Sequence, residues 1–154
     1  MVHDVVKVHE EDFDPGQLHA WLKAGEGDAG AIITFTGIVR DLVSGNLEGL
    51  YLEHYPGMTE QALAAIVVQA RRRWSLGRVV VCHRVGWLQP NDNIVFVGVS
   101  SAHRAEGFEA AMFLMDYLKR DAPFWKKERT ADGEQWVKQK CTDLAAARRW
   151  SESG

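Results

Sequence analysis

SSAHRAEGFEAAMFLMDYLKRDAPFWKKE, residues 100–128, is the stretch on which the fold turns. It leaves an apolar run, Ile94 to Val99, enters a helical pattern, and is stopped by Pro123 before a second extended stretch. Phe108, Ala111, Met112, Met115 and Leu118 share one face at helical spacing, which predicts a helix from about Ala102 to Arg120 that buries all five. Ser101 is placed as its N-cap. Three residues on, where a capping box puts Glu or Gln, stands Arg104 beside His103. A helix N-terminus already carries about half a positive charge and several unpaired N–H groups, so basic residues there suit an anion opposite them. On residue types alone, a phosphate pocket and a pair of solvated side chains both stay open.

Upstream, Val2 to Val8 reads as a strand, and Asp14-Pro15-Gly16 opens a short helix through Trp21 and Leu22. Ala31 to Arg40 is a second strand, interrupted at Gly37, where a bulge or a close backbone approach is expected. Leu47 to Tyr55 is a third, with Leu50 and Leu52 on one face. Pro56-Gly57 turns the chain into a helix from Thr59 to Trp74, with Leu63, Ile66, Val67, Ala70 and Trp74 at helical spacing. Arg71 to Arg73 fall in its last turn and read as a solvated helix end. Arg78 to Val85 and Asn93 to Ser100 are strands joined by the turn residues 89–92. After Pro123 a hairpin, Phe124 to Arg129 and Gln135 to Lys138, closes around Asp132-Gly133. Thr142 caps a last short helix through Trp150. The order predicts an α+β domain, and its first six elements resemble the split ferredoxin-like unit. With no linker or repeat, residues 1–154 read as one domain.

The chain has 154 residues, 46% of them hydrophobic, enough for a real core. A formal net charge of −3 argues against broad nucleic-acid affinity, which needs a positive field. No apolar run reaches the roughly 20 residues that span a bilayer, and MVHDVVKVHE lacks a signal-peptide pattern, so the cytoplasm is the expected compartment. Cys82 sits in VVVCHRV as a buried strand residue, and Cys141 has no neighbouring motif; neither is placed as a nucleophile. The six histidines are scattered without helical metal spacing, so no metal or cofactor is expected. His83, inside a strand, reads as structural.

What remains is a set of basic residues on separate elements: Arg40, His103, Arg104, Lys119, Lys126 and Lys127. Lys126 and Lys127 are strand neighbours and must point to opposite faces.

Several long segments carry a resemblance: TFTGIVR (34–40), LEHYPGM (52–58), LGRVVVCHRVG (76–86), IVFVGVSSAHR (94–104) and MDYLKRDAPFWKKE (115–128). In this order they resemble the large, catalytic subunit family of molybdopterin synthase over nearly the whole chain. The resemblance implies an α/β hammerhead-type α+β domain with an added antiparallel β subdomain. It implies conversion of cyclic pyranopterin monophosphate to molybdopterin. The sulfur would come from the C-terminal Gly-Gly thiocarboxylate of a small ubiquitin-like partner, in a heterotetramer built on a homodimer of large subunits.

For this chain the resemblance implies Lys119 and Lys126 as catalytic residues. It implies a substrate-binding set of Ile38, Val39, Arg40, His103, Arg104, Lys119, Lys126, Lys127 and Glu128, with Phe35, Met115 and Lys140 lining the pocket. Lys140 stands where relatives carry Arg, which keeps the charge but not the bidentate contact. Ile38 occupies a place where a polar or basic residue can occur. Two other classes compete with this enzyme: a non-catalytic binder of a phosphorylated small molecule through Arg40, His103 and Arg104, and a nucleic-acid binder stacking on Phe124 and Trp125. The interleaved Asp116, Asp121, Glu128 and Asp132 weigh against the latter.

Overall fold

The computed structural model describes residues 3–138, 145–148 and 150. The elements are β1 Asp4–His9, α1 Pro15–Lys23, β2 Ala31–Ile38, β3 Gly49–His54, α2 Met58–Arg73, β4 Leu76–Arg84, β5 Gly86–Leu88, β6 Asn93–Ser101, α3 Arg104–Asp121, β7 Phe124–Thr130 and β8 Gly133–Val137. They build two four-stranded sheets, β1-β4-β6-β2 and β5-β3-β7-β8. The fold is α+β, as the alternation of strands and helices predicts. Residues 145–148 are helical; the expected Thr142 cap, Cys141 and Lys140 lie outside the described residues.

The split ferredoxin-like expectation is overturned. That arrangement would seat β3 beside β2 in one sheet with β1 antiparallel to β4. Instead β1 pairs with β4 in parallel, β6 takes the place next to β2, and β3 pairs with β5 and β7 in the second sheet. The leucines of β3 explain the departure. Leu50 and Leu52 close a separate small core with Val39, Leu47 and Leu88, so β3 has its own apolar face to satisfy. The three-residue β5 was not anticipated; Gly86, at φ 91°, turns the chain so that Trp87 and Leu88 pair with Tyr51 and Leu50.

The first sheet is buried on both faces. Val79, Val81, Val95, Val97 and Val99 meet α2 and α3, while Val80, Cys82 and Phe96 meet Leu22 of α1. Two covered faces account for the unbroken apolar run VVVC, which would alternate with polar residues on a one-sided strand. At Gly37 the β2–β6 register shifts, and a Cβ there would lie 2.7 Å from Val95 Cγ1, so both the bulge and the close approach are present.

Three expectations about the helices need correction. Arg71 is not a solvated helix end: it ion-pairs with Asp4 of β1, and its Nη1 donates to the Leu76 carbonyl at 3.0 Å. Helix α3 begins later than predicted. Its N-cap is His103, while Ser101 ends β6 and donates its hydroxyl to the His103 carbonyl at 2.6 Å. Nor are Phe108 and Met112 core residues; they are 60% and 50% exposed. The helix has more apolar positions than one face can hold. Ala111, Leu114 and Leu118 look into the core, and Phe113 packs with Trp74, Trp150 and Tyr117 on the α2 side. Phe108 and Met112 form the stripe left over, on the side away from α2.

Candidate functional site

The direction of α3 sorts the basic residues. Strand β6 runs from Asn93 to Ser101, and α3 returns across β6 and β2. Its first turn therefore lies at the Ser101 end of the sheet, where the Gly30 amide donates to the Ser101 carbonyl at 2.9 Å. Its last turn, with Lys119, reaches the Asn93 end. Strand β2 finishes at that same end, since Ile38 is in register with Asn93. The next residues are pinned: the Val39 amide donates to the Asp92 carbonyl at 2.9 Å, and the Asn91 amide donates to the Val39 carbonyl at 2.8 Å. Arg40 follows, exposed.

Strand β7 starts at this end too. Phe124 stacks on His83 of β4, which is in register with Val95. The linking residues 122–123 are held by the Thr59 hydroxyl, which donates to the Pro123 carbonyl at 3.0 Å and accepts from the Tyr55 amide at 2.9 Å. Arg40, Lys119 and the strand bearing Lys126 thus gather at one end of the molecule. His103 and Arg104 stand at the other, about 24 Å away along the helix.

The two adjacent lysines of β7 face opposite ways. Lys126 lies between Leu52 and Val137, and Lys127 between Tyr51 and Trp136. Leu52 is core, so Lys126 and Glu128 share the Leu52 face of the strand, Lys126 exposed and Glu128 half-buried. Lys127 is enclosed by aromatic rings instead: its Nζ lies 5.3 Å from the Tyr51 centroid, 5.9 Å from Trp87 and 5.0 Å from Trp136, and 3.2 Å from Glu134 Oε2. Arg129 and Lys127 together hold the exposed Glu134 carboxyl below its usual range, first through the Arg129 hydrogen bond. A cleft of about 430 Å³ opens beside Trp125 and Trp136, on the Lys127 side, and contains none of the cations gathered at the Arg40 end.

Of the remaining expected site residues, Phe35 is 44% and Ile38 52% exposed on the edge strand β2, and Met115 is buried under α3. Phe108 and Met112 lie on the outer side of α3 with Lys119 beyond them at helical spacing, so the exposed apolar stripe ends at a cation. Val39 is different. Its side chain is 2% exposed in the small core, and both its backbone groups are already bonded, so it supports the loop and offers a ligand nothing.

At the far end, His103 makes no side-chain bond to its own helix, and both it and Arg104 are exposed. The first-turn carboxylate, Glu106, is turned away to accept the Ser75 amide at 3.2 Å. The N-terminus of α3 therefore presents uncapped N–H groups flanked by basic side chains, a local environment suited to an anion.

No described thiol is part of either end. Cys82 points to the α1 face of the first sheet, opposite α2 and α3, and burial pushes its pKa up, which keeps it a thiol. Sequence reasoning treated His83 as structural and passed over its position: the ring that supports Phe124 lies at the foot of the strand carrying Lys126.

Known proteins resemble this chain along nearly its whole length. The family model for the MoaE protein matches residues 8–121. The molybdopterin synthase catalytic subunit of Escherichia coli is 53% identical over 151 residues, covering 97% of this chain and 100% of that protein. That of Pseudomonas aeruginosa is 51% identical over 148 residues, 96% of this chain and 99% of the relative. Among solved structures, the molybdopterin cofactor biosynthesis protein E of Burkholderia multivorans superposes with a TM-score of 0.82 at 48% identity, covering 97% and 98% of the two chains. The molybdopterin synthase structure from Staphylococcus aureus superposes at 0.80 with 31% identity, covering 86% and 96%. With a family model spanning most of its length and relatives more than half identical along nearly all of it, this chain belongs to the MoaE family of molybdopterin synthase catalytic subunits.

Proposed function

We propose that this chain is a sulfurtransferase that converts cyclic pyranopterin monophosphate to molybdopterin, taking sulfur from the C-terminal thiocarboxylate of a small ubiquitin-like partner. The observation that carries the reading is chemical: cations gather at the Arg40 end, while the one described cysteine is buried on the opposite face of the sheet. A sulfur transferase without a placed thiol needs sulfur that arrives already activated. A thiocarboxylate is such a donor, and a diglycine tail is thin enough to enter a narrow site. Lys119 and Lys126 are then left to stabilise negative charge that develops during sulfur attack and to move protons. Arg40, His103 and Arg104 neutralise the substrate phosphate, with Ile38, Glu128, Phe35 and Met115 around the pocket.

The same reading calls for two copies of the chain. His103 and Arg104 cannot reach a small pterin held at Lys119 across about 24 Å of helix, whereas a copy related by a two-fold axis can bring its own α3 N-terminus there. Edge strand β2 and the exposed Phe35, Phe108 and Met112 supply an apolar surface for that contact. The proposed assembly is a homodimer with one small subunit per site, each chain acting as one domain. The proposed compartment is the cytoplasm; among the described residues no helix is long and apolar enough to cross a membrane.

The test is reconstitution. The purified chain, thiocarboxylated small subunit and cyclic pyranopterin monophosphate are mixed, and the dithiolene product is measured. Product formation is expected. Saturable binding of the pterin with no product over many hours would instead identify a non-catalytic phosphate binder.

A further inference from the structure

The mechanism above makes no use of a buried imidazole at the foot of β7. His83 is 5% exposed, and its ring lies 3.8 Å centroid to centroid from Phe124 with only 16° between the planes. Its Nδ1 is 2.8 Å from the Arg84 carbonyl. A carbonyl only accepts, so Nδ1 carries the proton and the ring is held in one tautomer and one orientation. His83 belongs to the first sheet and Phe124 to the second, so the stack ties the two sheets together. The tie falls two residues before Lys126, on the same side of the strand.

We infer that His83 is a positioning residue for Lys126, fixing the start of β7 through its stack on Phe124 so that the Lys126 ammonium is aimed into the site. The inference rests on the proposed role of Lys126. Phe124 alone would not do this, because an aromatic ring on a strand end can pivot about its side-chain torsions. Clamping it against a second ring, itself locked by a backbone hydrogen bond, removes that freedom in advance of substrate binding. The choice of histidine also spares the site a second charge. Burial first of all, with Lys126 of β7, His54 of β3 and His9 of β1 adding to it, lowers the His83 pKa from 6.5 to about 4 against the opposing Arg84 backbone bond. At neutral pH the ring is uncharged beside Lys126.

The experiment compares His83→Phe and His83→Gln in the reconstituted complex with thiocarboxylated partner and pterin, reading kcat, KM and the NMR signal of the Lys126 ε-carbon. Phe keeps a stacking plane; Gln keeps polarity and loses the plane. The Gln variant should lose about 10-fold or more in kcat, with KM for the pterin changed less than about 2-fold and the Lys126 signal shifted or broadened. The Phe variant should recover most of kcat and the native Lys126 signal. Wild-type kcat in a folded Gln variant, or a Phe variant as slow as Gln, would overturn the inference. Lys126→Ala serves as the control that separates the two claims. If it turns over normally, the proposed role of Lys126 fails; if it is inactive while His83→Gln is normal, only the positioning role fails.

Discussion

His103 and Lys119 are sixteen positions apart on one unbroken helix, His103 as its N-cap and Lys119 in its last turn. At about 1.5 Å per residue that fixes their separation near 24 Å, too far for one chain to place both on a small substrate. The other proposed site residues follow the same division, with Arg40 and Lys126 at the Lys119 end and Arg104 beside His103.

The two lysines of β7 should behave differently. Lys126→Ala removes an exposed charge from the Leu52 face of the strand and should cost at least about 100-fold in kcat with the fold intact. Lys127→Ala should leave kcat within about 3-fold, because Lys127 is committed to Tyr51, Trp87 and Trp136; its loss should appear as about 0.5–1 kcal/mol of stability from each favourable ring contact removed. Steady-state kinetics beside urea denaturation checks both, and equal kcat losses would contradict the facing assignment.

Stability should fall in acid through His83. Its folded pKa, about 4, lies below the ordinary 6.5, so the unfolded chain binds the extra proton between those values. The stabilising effect is complete above about pH 6.5 and is lost as pH falls toward 4, amounting to on the order of 3 kcal/mol. His83→Phe should flatten that part of the stability–pH curve. Denaturant melts at a series of pH values read this directly, and an unchanged slope in the variant would show that other groups carry the dependence.

Cys82→Ser should retain sulfur transfer, since the thiol lies away from the cations and burial keeps it protonated. Placing a hydroxyl among Leu22, Val80 and Phe96 should cost about 1–3 kcal/mol of stability. A folded Cys82→Ser protein with no turnover would mean that the chain's own sulfur takes part.

How much of this was legible before the structure depends on the range of the forces involved. The strands around Val79–Val81 and Val95–Val99 and the helix through Leu63–Ala70 announce themselves because their apolar spacing is local and long. Strand β5 does not, since three residues become a strand only through their pairing with β3. Arg71 was misread because its partner, Asp4, is 67 positions away. Phe108 and Met112 satisfy helical periodicity yet stay outside the core, because periodicity finds apolar positions and cannot tell which neighbour covers them. Of the site, the residue types were readable and their grouping was not. That grouping needed the return direction of α3 and the register of β2 on β6, both set by tertiary contacts.

The shared site is tested most directly by complementation. His103→Ala and Lys119→Ala chains, each inactive alone, are mixed, allowed to exchange subunits, and assayed for dithiolene product with thiocarboxylated partner. A heterodimer of the two holds one site with both His103 and Lys119 intact, so a substantial fraction of wild-type activity, up to about a quarter for random exchange at equal amounts, should return. No recovered activity after subunit exchange has been confirmed by mass spectrometry would contradict a site built from two chains.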